Sequence, residues 1–340
     1  MPPGAFLMLA SALVAWQADF ASARAEAQRL LASRKIPAAV APLEQAHRLR
    51  PGDHATAWDL ALAYLETGRL PAARRLIETA VTRQDRAEWH SLWADVEERA
   101  GDPSAAARQH QRAAEMEPSE QHLLAFGNHL TKYNATPSAL ELYRHAVERY
   151  PRSGPLHVGF GVALHAASRH DEAVAVLCQA VDLAPADPRP IYFLGQLHDV
   201  SPALAAQVSR RLERFTQLYP KNAAAQHFFA LSLLKREPRE EKRAEAHFLQ
   251  ATRLDPRNSD TWLQLGMLHQ RAGHLFEAEK AWRQAVTLQP ESESAHYRLA
   301  QLYQSTGRTA LAKQELATYE RLHERQLETA KRGATALQVR

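Results

Sequence analysis

SDTWLQLGMLHQRAGHLFEAEKAWRQAVTLQPES, residues 259–292, holds the pattern that decides the fold. Apolar residues recur three and four apart on both sides of Ala272-Gly273-His274, so the stretch reads as two amphipathic helices joined by a tight turn. Gly266 and Ala278 stand twelve residues apart, one on each helix, with Ala285 seven further on. Antiparallel helices can approach closely only where no long side chain intervenes, so a small residue on each marks their crossing. Pro290, which has no backbone N–H, ends the second helix and prepares the next.

The same spacing runs through nearly the whole chain. Pro118, Pro151, Pro185, Pro220, Pro256 and Pro290 are separated by 33, 34, 35, 36 and 34 residues, and Pro51 lies two periods before Pro118. Small-residue pairs twelve apart recur as Ala27/Ala39, Ala61/Ala73, Ala94/Ala106, Gly127/Ala139, Gly161/Ala173 and Ala300/Ala312, usually followed seven later by alanine, as at Ala46, Ala80, Ala113, Ala146 and Ala180. Trp93, Phe126, Phe160, Leu194, Phe229, Leu265 and Leu299 immediately precede the first small position and are the expected core stripe. Glycine turns recur at Gly68, Gly101 and Gly307, where a positive φ closes a helix. Nine units result, starting near Phe20, His54, Ala87, Glu120, Gly154, Pro188, Ala223, Ser259 and Glu293. The sixth departs from the pattern, with Gln207 in place of a small residue and a turn at residues 199–202. The seventh carries a charged excess at residues 235–242 (KREPREEK).

Trp262-Leu263-Gln264-Leu265-Gly266, with Ala278, Trp282, Ala285 and Pro290, resembles the tetratricopeptide repeat (TPR) at nearly every signature position, and the resemblance extends over residues 20–325. It implies an all-α, right-handed superhelical solenoid of about nine αα-hairpins. Residues from 311 to about 332 then read as a long polar-faced helix that caps the last apolar face, with a frayed tail beyond. A coiled coil is excluded because Pro and Gly interrupt the pattern every half period. The organisation expected is a segment at 1–23, the repeat array at 24–325, and the end of the capping helix with its tail at 326–340.

The first 23 residues carry an apolar run at 5–16 (AFLMLASALVAW) followed by Ala21-Ser22-Ala23, a small-x-small site. The run is short for a membrane span and has the form of a cleaved secretory signal, although Met1-Pro2-Pro3-Gly4 supplies no Lys or Arg. The expectation is a periplasmic or secreted protein whose mature chain begins near Arg24. The alternative is a cytoplasmic protein in which this segment is an apolar cap on the first repeat.

Chemistry is sparse. No G-x-S-x-G, Walker loop, H-E-x-x-H or C-x-x-C occurs, and Gly159-Phe160-Gly161 lacks both the third glycine and the preceding strand of a dinucleotide loop. Cys178 is the single cysteine. His122 with His129 and His157 with His165 can share helix faces, but neither pair reads as a convergent ligand set, so no metal, cofactor or small-molecule substrate is expected. The 42 Lys and Arg face 38 Asp and Glu with the signs interspersed, and Arg210-Arg211-Arg214 includes Glu213, so nucleic acid is not an expected partner. Membrane contact is expected only through an uncleaved N-terminal segment.

Resemblance to the TPR family implies protein–protein recognition in a concave groove lined by the first helix of each pair, in assembly of an envelope or exported complex. The other reading is a recruiting subunit for a separately encoded enzyme. First-helix residues spaced four and then three apart form one stripe away from the crossing positions. The stripe comprises Trp58, Leu62 and Leu65; Leu124, Asn128 and Thr131; and Val158, Val162 and His165. Farther along it includes Tyr192, Gln196, His227, Leu231, Leu263, Met267, Tyr297 and Gln301. The family's clamp for a C-terminal carboxylate is not matched, because Leu124 rather than a basic residue stands one turn before Asn128.

Overall fold

Six of the periods begin with the same punctuation, whereas the helices starting at Ala87 and Arg189 have no side-chain cap. Two residues after Pro51, Pro151, Pro220, Pro256 and Pro290, and directly after Pro118, stands an Asp, Ser or Asn whose side chain accepts a backbone N–H of the first helical turn. These residues are Asp53 (to Thr56, 2.8 Å), Ser119 (to His122, 3.3 Å), Ser153 (to Leu156, 3.1 Å), Asn222 (to Ala225, 3.0 Å), Asn258 (to Thr261, 3.0 Å) and Ser292 (to Ala295, 3.4 Å). Such a cap satisfies a donor that the helix cannot, which fixes where each first helix starts.

The computed structural model of the chain describes the backbone of residues 3–197, 202–235 and 240–338, and side chains from residue 17 to residue 329 apart from 198–203 and 236–239. These residues form helices and no strand, in two compact units, Met1–Ala167 and Ser168–Arg340. The first unit contains α1 (Pro3–Ala32), α2 (Ile36–Leu49), α3 (His54–Glu66), α4 (Leu70–Arg83), α5 (Ala87–Ala100), α6 (Pro103–Met116), α7 (Glu120–Lys132), α8 (Thr136–Arg149) and α9 (Gly154–Ala166). The second contains α10 (His170–Leu183), α11 (Arg189–Gln196), α12 (Pro202–Leu218), α13 (Ala223–Leu234), α14 (Glu241–Leu254), α15 (Ser259–Arg271), α16 (Leu275–Leu288), α17 (Glu293–Ser305) and α18 (Thr309–Gln338). Within each unit, consecutive helices pack as hairpins and hairpins pack on their neighbours. Seven of the nine expected unit starts coincide with a first helical residue, and Pro188 is the N-cap of α11.

The turns close as the glycines require. Gly68, Gly101, Gly273 and Gly307 have φ between 74° and 81°, and Arg34, Asn134 and Ser168 take the same left-handed conformation in other turns.

The crossing positions are fully buried: Ala27, Ala39, Ala61, Ala73, Ala94, Ala106, Ala139 and Ala278 expose nothing. The structure adds a second reason for small residues there. A Cβ on Gly127 would lie 2.4 Å from the ring of Tyr143, and one on Gly266 would lie 2.4 Å from the indole of Trp282. In these hairpins the second helix drives an aromatic side chain into the space that glycine leaves on the first. Tyr143 then donates to Asn128 Oδ1 at 2.8 Å, and Trp282 Nε1 donates to the Leu263 carbonyl at 3.1 Å. Gly195 serves a different contact, since its missing side chain makes room for Phe228 of the following hairpin. That explains why Gly195 has no small partner twelve residues on.

Among the expected core residues, Leu194, Phe229, Leu265 and Leu299 are buried, whereas Trp93, Phe126 and Phe160 are half-buried. The turn expected at residues 199–202 lies largely outside the described residues, as does the centre of the charged loop at 235–242. Helix α18 runs to Gln338, beyond the expected end near residue 332. At the other end α1 is continuous through position 23. Ala23 and Ala27 are buried, and Arg24 pairs with Asp59 at 2.5 Å. No described helix is long and apolar enough to cross a membrane.

Polar clamps join adjacent hairpins. Glu97, 3% exposed, receives both Arg74 of α4 and the Trp93 indole N–H (2.8 Å). Glu279 on α16 receives Arg308 (2.6 Å) and the Tyr303 hydroxyl (3.2 Å) from the next hairpin. Buried carboxylates are tolerated only with such partners.

Gly127→Ala and Gly266→Ala are expected to destabilise the chain by about 1–3 kcal/mol each, the usual cost of overpacking a filled core. Gly52→Ala, whose Cβ would meet nothing within 4 Å, should be close to neutral. Urea denaturation of the three variants checks this, and equal midpoints would remove the aromatic-insertion account.

Candidate partner-binding face

Residues four and then three apart on a first helix lie on one side of it, and the structure grades the expected stripe by burial. In the first unit Trp58, Leu62, Leu124 and Val162 are half-buried, Asn128 is exposed and Val158 is buried. In the second unit Tyr192, Leu231, Leu263, Met267 and Gln301 are half-buried, Gln196 and Tyr297 are exposed, and His227 is buried. Of the remaining stripe residues, Leu65 is buried, Thr131 half-buried and His165 exposed.

Most of these side chains have a structural task as well as an open edge. Trp58 meets Trp89 edge-on, with ring centroids 5.1 Å apart, and stacks on His54. Leu62 packs on the same cluster, Leu124 on the core around Tyr143, and Leu263 and Met267 on the core around Trp282. Tyr192 lies edge-on to Phe228 at 5.9 Å, and Tyr297 contacts Tyr319 of α18 at 5.2 Å. Asn128 spends its carbonyl on Tyr143. His227 is an interior residue: its Nδ1 lies 2.9 Å from the Thr261 hydroxyl, and burial pushes its pKa down to about 4.

The third unit belongs to this face although the sequence reading passed over it. The offsets that select Trp58, Leu62 and Leu65 select Ser91, Asp95 and Glu98 on α5, so repeating the spacing in every unit would have found them. Asp95 is solvent-accessible yet crowded by protein. That partial burial, reinforced by the Glu98 charge and offset by Arg99, holds its carboxyl above the usual range.

Glu98 also anchors a polar cluster. Its Oε1 accepts His129 Nδ1 at 2.5 Å and its Oε2 accepts Lys132 Nζ at 2.7 Å. Burial works against the Glu98 charge, but these two partners outweigh it and leave the carboxyl below its ordinary value. His110 of α6 stands 5.3 Å from His129, ring to ring, and its pKa is pushed down to about 4 by burial and then by His129. His129 therefore converges with residues of α5 and α6 and not with His122, its expected companion on α7. That grouping crosses three helices and leaves no spacing in the sequence.

A concavity of about 490 Å³ opens on a different face of α7. Phe126, Leu130, Leu142 and His145 line it, and it includes none of the expected stripe. The Arg210, Arg211 and Arg214 cluster is partly neutralised: Arg211 pairs with Asp182 at 2.6 Å, and the neighbouring Glu213 pairs with Arg243 at 2.6 Å. Cys178 is buried, and burial raises its thiol pKa to about 11.

Models of the tetratricopeptide repeat match residues 30–96, 124–188, 247–280 and 293–320. No curated protein matches the chain by sequence. Among solved structures, the C-terminal part of a TPR repeat-containing protein from Cytophaga hutchinsonii is 12% identical. That match covers 81% of this chain and 98% of the other, with a TM-score of 0.52. Yeast Tom70 is 13% identical over 90% of this chain and 76% of its own, with a TM-score of 0.43. MamA is 17% identical over 49% of this chain and 96% of its own, with a TM-score of 0.42. At these identities the likeness is one of fold.

The buried histidines make stability depend on pH. His227 and His110 are held neutral in the fold near pKa 4, against 6.5 in the unfolded chain, so above pH 6.5 neither opposes folding. As pH falls from 6.5 toward 4 the unfolded chain takes up protons that the fold refuses, and each residue costs up to roughly 3 kcal/mol. Urea midpoints between pH 7 and 4.5 should fall, and less steeply in His227→Gln. An unchanged slope in that variant would show that His227 does not carry the effect.

Proposed function

The chain belongs to the tetratricopeptide repeat family, and from that premise we propose that it is a protein–protein interaction scaffold that holds an extended peptide segment of a partner against its first helices. The observation that carries this reading is the graded stripe. Within each compact unit half-buried apolar side chains, among them Trp58, Leu62, Leu124, Leu263 and Met267 packed on the core, share the stripe with exposed Asn128, Gln196 or Tyr297. An extended peptide offers alternating side chains that bury well on such apolar edges and a backbone that needs donors and acceptors, which the amides and the phenol supply. Side chains already immobilised by their own packing lose little entropy when a partner arrives. In the third repeat, exposed Asp95 adds an acidic group to the stripe, while Glu98 is already paired with Lys132 and His129. The family is generally a non-catalytic one, and the reading requires no reaction.

The setting we propose is an envelope or exported complex, reached through cleavage after Ala23. The apolar run at 5–16 and the small-x-small site support this. Mass spectrometry of the protein from its native source should find a mature N-terminus near Arg24 in an extracytoplasmic fraction. An intact Met1 in the cytosol would overturn the placement and leave the binding reading untouched.

Binding itself is tested by selecting ligands from a displayed library of extended peptides and measuring affinity for the selected sequences. Trp58→Ala and Tyr192→Ala should each weaken binding by about 1–3 kcal/mol as buried anchors. Because Trp58 also supports Trp89, circular dichroism must show the fold intact, and Tyr297→Ala gives a comparison at an exposed position. Unchanged affinity in all three folded variants would move the binding surface elsewhere, with the cleft around Phe126 and Leu142 as the next place to look.

A further inference from the structure

Glu98, His110 and His129 are the one set of three acidic, histidine or cysteine side chains among the described residues whose ligand atoms all lie within 4.8 Å of one another. They come from α5, α6 and α7 and so join the third hairpin to the first helix of the fourth. We propose that they form a binding site for a divalent transition-metal ion, with zinc the best match, which staples these two repeats together. The proposal is independent of the partner-binding reading.

The donor set is chemically apt. Two imidazoles and one carboxylate are borderline-to-hard ligands of the type zinc takes, and they leave a fourth tetrahedral position for water or a partner's side chain. With bonds of about 2.0–2.2 Å, tetrahedral ligand atoms stand about 3.4 Å apart. The three ligand atoms already lie within 4.8 Å of one another, and on coordination His129 Nδ1 and Glu98 Oε1 separate from their 2.5 Å hydrogen bond to the tetrahedral spacing. Histidine–carboxylate pairs occur elsewhere, such as His90 with Asp85 and His296 with Glu315, but each lacks the third ligand.

His110 is the residue that points to a ligand. It is only 4% exposed, and the described residues give it no hydrogen bond. A neutral imidazole carries one donor and one acceptor, and no described protein group takes up either one here. Its neighbours His122 and His129 do have partners, at the Glu117 carbonyl and at Glu98. Metal coordination would satisfy the His110 lone pair, which lies within 4.8 Å of the ligand atoms of Glu98 and His129.

The groups already around the site are compatible with it. Lys132 bonds Glu98 through Oε2, and its own side chain is 58% exposed, so it can stay on that oxygen or swing into water at little cost. Oε1 and His129 Nδ1 now share one hydrogen bond. On metal binding both become ligand atoms, and the ring proton passes to Nε2 or to solvent. Glu98 is the most accessible of the three, and its place on the partner-facing stripe gives the ion a route in.

The test uses the full chain, stripped with chelator and titrated with zinc by calorimetry and with cobalt(II) by visible absorption. The expected result is one saturable equivalent, cobalt bands of tetrahedral character, and a thermal midpoint that rises with zinc. His110→Gln and Glu98→Gln should weaken binding by more than the ~10–100-fold that loss of an outer hydrogen-bond partner costs. Lys132→Ala should bind at least as tightly as the native chain. His110→Gln is the deciding variant, because His110 has no protein hydrogen bond whose loss would unfold the chain. Absence of saturable binding by the folded native chain overturns the proposal. So does binding that persists at native affinity in His110→Gln, which would assign it to the surface histidines.

Discussion

The close approach of paired helices is the constraint on which the rest of the structure depends. Ala61 against Ala73, Ala94 against Ala106 and Ala27 against Ala39 are buried without remainder, and no larger side chain fits there without separating the helices. Where glycine takes the first position, the gain goes further, because Tyr143 and Trp282 insert rings that would otherwise collide with a Cβ. These rings bury large apolar areas and also carry a polar atom back to the first helix, at Asn128 and at the Leu263 carbonyl. Small residues at the crossings thus set the helix separation and, where the first of them is Gly127 or Gly266, the aromatic packing as well.

Repetition is enforced by local chemistry at most junctions. Proline stops the second helix, an Asp, Ser or Asn caps the next first helix, and a left-handed residue closes the hairpin. Adjacent hairpins then need specific contacts, since each touches only its neighbours. Glu97 with Arg74 and Glu279 with Arg308 provide them, as buried carboxylates that would be costly if the hairpins separated. The cluster of Glu98, His110 and His129 occupies a comparable junction between the third and fourth hairpins, one residue along α5 from Glu97. Two polar junctions thus adjoin on one helix, and they coincide with the stretch where the first-helix stripe turns from apolar to acidic.

The sequence by itself determined the class of fold, the unit boundaries and the turns, because each rests on short-range rules. Spacing of apolar residues, a proline without an N–H, a side chain that caps three residues ahead and a glycine with positive φ all act within one helical turn. It also selected the face of each first helix, since residues at offsets of four and three must share a side. Which stripe members remain accessible was decided by packing against neighbouring hairpins, which buries Val158 and His227 while leaving Asn128 and Tyr297 open. Gly195 shows the same limit: its role depends on Phe228, more than thirty residues away. The convergence of Glu98, His110 and His129 was decided by tertiary structure alone, because side chains from three helices meet only after the hairpins have stacked, and no periodicity in one dimension encodes a distance across that interface.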